Sequence, residues 1–182
     1  MSNTSSIIER SDVTITDMQL GIDQRKYTAV KTHAVPPAYT KTILPGHEAE
    51  VIEGKFGAII NQWLHEPEYK VCVSYLVLNR KITLLAKATE PCTTFFMPVK
   101  NTPVFIRRAG MLACGVKIKE NTVLELHFEE AIAAPRMKFN KGTYISLHIT
   151  VPDKYKYLVA DEHWLDKILK HYATRLHHIM KT

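Results

Sequence analysis

The chain has 182 residues, 46% of them apolar and 23% charged, which suits one domain with one sizeable core and excludes a wholly disordered polymer. It lacks the run of about eighteen apolar residues a membrane-spanning helix needs, and its start, MSNTSSIIERSD, has neither the basic nor the apolar part of a secretory signal. The net charge of +6 belongs mostly to residues 56–160, where cations are scattered; only Arg107-Arg108 and Lys117 with Lys119 approach a cluster, so the pattern reads as solvated strand faces and weakens a nucleic-acid-binding barrel.

Residues 1–50 are polar and irregular, punctuated by Pro36-Pro37 and Pro45-Gly46, and sustain no period. From residue 51 short runs rich in Val, Ile, Thr and aromatics recur between Gly, Pro and Asn. They predict strands over 56–64, 70–78, 82–88, 93–97, 104–108, 111–119, 123–129 and 142–151. Within 111–119, Leu112, Cys114, Val116 and Ile118 alternate with Lys117 and Lys119. Within 123–129, Leu124, Leu126 and Phe128 oppose Glu125, His127 and Glu129. Residues 71–78 are apolar at seven of eight positions, as in a strand covered on both faces. Eight strands with no helical period between them predict a mainly β (α+β) fold: an antiparallel β-barrel or double-sheet roll, followed by C-terminal helices. The organisation expected is an irregular segment 1–50, a barrel 51–152 and a helical segment 153–182 within one domain.

After Pro152 the period changes. Asp161 is a helix cap, with Glu162 in the first turn. Trp164, Leu165, Ile168, Leu169, Tyr172, Leu176 and Ile179 then form one apolar stripe of roughly five turns, with one break expected near His171. The stripe is longer than one small barrel face needs. It predicts a homodimer interface of Leu165, Ile168, Leu169, Tyr172 and Leu176.

Phosphate loops, dinucleotide fingerprints, GxSxG and HExxH are all missing. A metal-dependent cupin enzyme needs several histidines and a carboxylate converging on one open position, usually from His-x-His on a strand. No His-x-His exists here, which predicts no metal and no cofactor and weakens the enzyme alternative, an isomerase or metal-dependent oxygenase. The three cysteines, Cys72, Cys92 and Cys114, form no CxxC pair; they read as reduced thiols in a cytoplasmic protein, without an activating base beside any of them. What remains is the barrel interior. Aromatics on strands (Trp63, Tyr75, Phe95, Phe96, Phe105) either fill it or line a cavity, since a small barrel is just wide enough for its own side chains or one small ligand. Tyr75, in phase with Val71, Val73 and Val77, needs a partner for its hydroxyl if buried. His148 shares a face with Tyr144, Ser146 and Thr150, opposite Ile145, Leu147 and Ile149. The candidate ligand-binding residues are therefore Trp63, Tyr75, Phe96 and His148.

Four stretches in order carry a family resemblance: VIEGKFGAIINQ, YKVCVSYLVLNRKITLLA, EPCTTFFMPVKNTPV and FNKGTYISLHITVPDKYKYLVADEHWLDKILKHY. Over about two thirds of the chain they resemble the N-terminal sensing domain of AraC-type transcriptional regulators of Bacteroidetes-like bacteria. The resemblance implies a cupin-like barrel with following helices that dimerises or senses a small-molecule effector. It assigns DNA binding to a separate pair of helix-turn-helix units, for which nothing before Thr182 reads as a match, so the chain is expected to be a fragment of such a regulator. The family's sensing residues match no motif here. A stand-alone small-molecule-binding protein is the further alternative.

Overall fold

The computed structural model describes residues 6–7, 19–22, 27–87, 90–109, 112–128 and 136–180. Its strands are β1 (Ser6–Ile7), β2 (Gln19–Ile22), β3 (Ala29–Thr32), β4 (Glu48–Gly54), β5 (Gly57–His65), β6 (Lys70–Leu78), β7 (Ile82–Lys87), β8 (Cys92–Lys100), β9 (Val104–Ala109), β10 (Leu112–Lys117), β11 (Leu124–Phe128), β12 (Arg136–Phe139) and β13 (Gly142–Pro152). Short 3-10 turns, Pro37–Thr42 and Asp153–Leu158, precede β4 and follow β13, and helix α1 spans Glu162–Met180.

All pairings are antiparallel. The larger sheet has the order β1-β3-β4-β5-β6-β13-β8-β11 and the smaller one β10-β9-β12-β7-β2. The fold is thus the expected mainly β double-sheet roll with a C-terminal helix. The sheet starts earlier than expected, because β3 and β4 lie in the segment read as irregular and β4 crosses the boundary drawn at residue 50. Charges at Glu48, Glu50 and Glu53 hide the β4 pattern in the sequence.

Apolar residues of both sheets meet in one interior cluster, including Ile52, Ile59, Leu76, Leu84, Phe96, Phe105, Met137 and Phe139. Strand alternation sends the other set outward. On the outer face of the larger sheet, Val71, Val73, Phe95, Met97, Ile145, Leu147, Ile149 and Val151 are covered by Ile168, Tyr172 and Leu176 of α1. A second outer patch, Val51, Ala58 and Ile60, lies under Val35, Tyr39 and Ile43. The larger sheet is therefore covered on both faces at its centre, as the 71–78 run foretells.

The cap of α1 is the expected one: Asp161 Oδ1 accepts from the backbone N–H of His163 at 3.0 Å and of Trp164 at 3.2 Å. The helix runs through His171 without the expected break. Along its stripe, Ile168, Tyr172 and Leu176 are buried against the chain's own sheet, and Leu165 and Leu169 pack, partly buried, at the edges of the same cluster. Ile179 lies in the last turn, whose side chains are outside the described residues.

Candidate functional site

Register places a band of polar side chains on the inner face of the larger sheet. Cross-strand pairs run Glu50–Asn61 between β4 and β5, Asn61–Ser74 and Trp63–Cys72 between β5 and β6, and Ser74–Ser146 and Cys72–His148 between β6 and β13. They continue as His148–Phe96 and Thr150–Thr94 between β13 and β8. Directly paired residues share a face. The result is two neighbouring rows, Glu50-Asn61-Ser74-Ser146 and Trp63-Cys72-His148-Phe96, beside the apolar interior cluster.

All of these side chains are buried, Asn61, Ser74, Phe96 and His148 completely. Ser74 Oγ donates to Asn61 Oδ1 at 2.8 Å, and Cys72 Sγ lies 3.8 Å from Ser74 Oγ. Ser146 Oγ and His148 Nε2 are 2.8 Å apart. Phe96 stands edge-on to the His148 ring, with centroids 4.9 Å apart. Thr94 and Thr150 pair through their hydroxyls at 3.0 Å. At the β4 end, Glu50 forms an ion pair with Lys31. Two donors have no partner among the described residues: Asn61 Nδ2 and the indole Nε1 of Trp63. Each such buried group costs about 1–3 kcal/mol when nothing satisfies it. The two lie two residues apart on one strand face.

Three of the four sequence candidates, Trp63, Phe96 and His148, fall in this band. Tyr75 does not, and this is a correction. Its strand neighbours Val71 and Val73 point outward to α1, so Tyr75 is half-buried on the outer face, between the patch under α1 and that under residues 35–43. Phe95 is also outward, whereas Phe105 is inward and packs on Phe96 with centroids 5.1 Å apart. Sequence reasoning missed Asn61, Ser74, Glu50 and Lys31. The signal was there for Ser74: it is the one polar residue in the otherwise apolar run 71–78.

His127 lies exposed on the outer face of β11, 3.2 Å from Glu125 Oε1 and 3.2 Å from Thr93 Oγ1. Among the described residues, no three His, Cys, Asp or Glu side chains converge as metal ligands. A second polar contact ties the segment before β4 to α1. His47 Nδ1 lies 3.2 Å from the Pro45 carbonyl, which can only accept, so Nδ1 carries the proton; Nε2 then accepts from the Tyr172 hydroxyl at 3.2 Å. Burial lowers the His47 pKa, with nearby Arg175 adding to the effect. Burial pushes the Tyr172 phenol up to about 12. Among the described residues, no helix is long and apolar enough to cross a membrane.

No protein family and no curated protein matches the chain. Among solved structures it is similar to hydroxypropylphosphonic acid epoxidase from S. wedmorenis, with 9% identity and a TM-score of 0.39 over 56% of this chain and 55% of that one. It is similar also to CapF bound to the inhibitor 3-isopropenyl-tropolone, with 10% identity and a TM-score of 0.41 over 57% of this chain and 30% of that one. A cupin-2 domain from Rhodospirillum rubrum matches 69% of this chain and 89% of its own length, with 10% identity and a TM-score of 0.36. The chain spans about half the length of the epoxidase and less than a third of CapF.

Proposed function

We propose that the chain is the effector-sensing domain of an AraC-type transcriptional regulator and binds a small molecule on the inner face of its larger sheet. The regulator assignment rests on the sequence resemblance. The sensing assignment rests on one structural observation: a fully buried polar band that leaves the Asn61 and Trp63 donors unsatisfied.

The route out of the site is strand β13. Its inward residues Ser146, His148 and Thr150 line the band, while its outward residues Ile145, Leu147, Ile149 and Val151 pack in the cluster that holds α1. A ligand that binds one arrangement of this strand better than another shifts the population of that arrangement, and α1 is in contact with the shifted face. In a regulator the helix would then reorient an attached DNA-binding unit, and effector and DNA affinities would be coupled reciprocally.

The test is a thermal-shift screen of the chain against a library of small metabolites, followed by amide hydrogen exchange with each hit. The expected result is a hit that slows exchange in β5, β6 and β13 and also changes exchange in α1. A hit that protects the strands and leaves α1 unchanged refutes the sensing mechanism. Failure of every compound to stabilise the chain refutes the ligand site.

A further inference from the structure

The chemistry of the inner band narrows what it accepts. We infer that its ligand is a small uncharged molecule presenting a carbonyl oxygen to Asn61 and Trp63, an assignment that rests on the sensing reading above and adds the ligand class to it.

Three observations carry this. First, the unsatisfied groups are both donors. The indole N–H of Trp63 can only donate, and the Asn61 carboxamide has its oxygen engaged by Ser74, which leaves its NH2. Second, the two residues alternate on one strand and so project from the same face, about 6.4–6.8 Å apart along the backbone. A carbonyl oxygen has two lone pairs, so one acceptor lying between the two side chains can take a hydrogen bond from each. Third, the cations of this face are already engaged. Among its described residues Lys31 has its ammonium paired with the buried Glu50 carboxylate, and Lys70, beside Cys72 and opposite Thr150, is not free either. A carboxylate ligand would enter without a counter-ion and a cationic one would face two donors; each would lose its hydration for no compensating partner. A neutral carbonyl meets the donors at no such cost, and Phe96 and Trp63 supply apolar rings in the same row of the band.

A matched probe series tests the class directly: cyclopentanone, cyclopentanecarboxylate and cyclopentylammonium. The readout is the indole N–H cross-peak of Trp63 in the proton–nitrogen spectrum, assigned with the Trp164→Phe variant, since the chain has two tryptophans. Saturable downfield movement of that peak with cyclopentanone, and not with the two ions, is the expected result. Trp63→Phe, which keeps a ring and removes the N–H, should weaken cyclopentanone binding about tenfold by ligand-observed NMR, as should Asn61→Ala. The second variant serves if the first does not fold. Saturable movement with the carboxylate or the ammonium in preference to the ketone overturns the ligand class and leaves the sensing site in place. A peak that responds to none of the three means that water alone fills the position and overturns both readings. Unchanged affinity in a folded Trp63→Phe or Asn61→Ala variant also overturns the assignment.

Discussion

Truncating Leu176 to alanine separates the two roles open to the C-terminal helix. Leu176 is completely buried, in a cluster with Ile168 and Tyr172 of its own helix and Val71, Val73, Phe95 and Leu147 of the sheet. Leu→Ala at a fully buried site costs about 2–5 kcal/mol, the spread reflecting how far the surroundings collapse. Leu176 sits about one turn from the end of a helix that finishes at Met180, where the backbone can move inward. The lower part of the range applies, about 2–3 kcal/mol. With a urea slope of about 2 kcal/mol/M, the unfolding midpoint should fall by roughly 1–1.5 M. Lys170→Ala on the exposed side should move it by less than about 0.3 M, since surface changes cost within about 0.5 kcal/mol. Equilibrium urea unfolding followed by circular dichroism measures both, and sedimentation at the same concentrations reports association. A Leu176→Ala chain with an unchanged midpoint that has gone from dimer to monomer would refute the packing argument and restore the helix as a subunit interface.

Stability should also fall as pH drops below about 6.5. His47 has a lowered pKa in the fold, so the unfolded chain takes up that proton first, at its ordinary pKa near 6.5, and proton binding favours unfolding. Urea midpoints between pH 5 and 7.5 should show this slope, and His47→Gln should flatten it; an unchanged slope removes His47 as the cause. Gly57 has φ +119°, and a Cβ there would sit 2.0 Å from the Val77 carbonyl oxygen, so Gly57→Ala should lose at least about 1–3 kcal/mol in the same assay. A wild-type midpoint would contradict the close approach of β5 to β6. Trp63 is 8% exposed and Trp164 half-buried, so acrylamide should quench the Trp164→Phe chain less than the Trp63→Phe chain; the reverse order would place Trp63 outside the roll.

Much of this is legible in the sequence, and the failures have a common physical cause. The span of β6, the alternation of Leu124, Leu126 and Phe128 on β11, and the Asp161 cap all follow from local chemistry, and the structure shows each. His148 was in phase with Ser146 and Thr150, which is how they sit. Periodicity, however, says which residues share a face and not which face looks inward. On a strand apolar on both sides, Tyr75 could be assigned to either one. The structure sends it outward because α1 covers that side and makes it apolar. The helix stripe has the same ambiguity, since a sheet and a second copy of the helix bury it equally well in sequence terms. Val116 shows the limit at an edge: it alternates correctly, yet on edge strand β10 it is 42% exposed. Asn61 was unreadable because its partner Ser74 lies on the next strand, and only the register brings the two together.

The inner band is not something the fold requires. The outer face of the larger sheet is sealed by α1 and by residues 35–43, and the interior has a second apolar cluster shared by both sheets. A roll with those clusters would gain stability if Asn61, Ser74, Ser146 and His148 were replaced by apolar residues that pack, because buried hydrogen-bonded groups contribute little net and unsatisfied ones cost. Their position adds to the argument. They lie on β5, β6 and β13 at the middle of the eight-stranded order, and β5, which carries Asn61 and Trp63, is bonded on both sides, to β4 and to β6, as β13 is to β6 and to β8. A strand held on both sides cannot shift alone. Any ligand that draws Asn61 and Trp63 inward therefore moves a sheet, and the far side of that sheet is the surface on which the C-terminal helix rests.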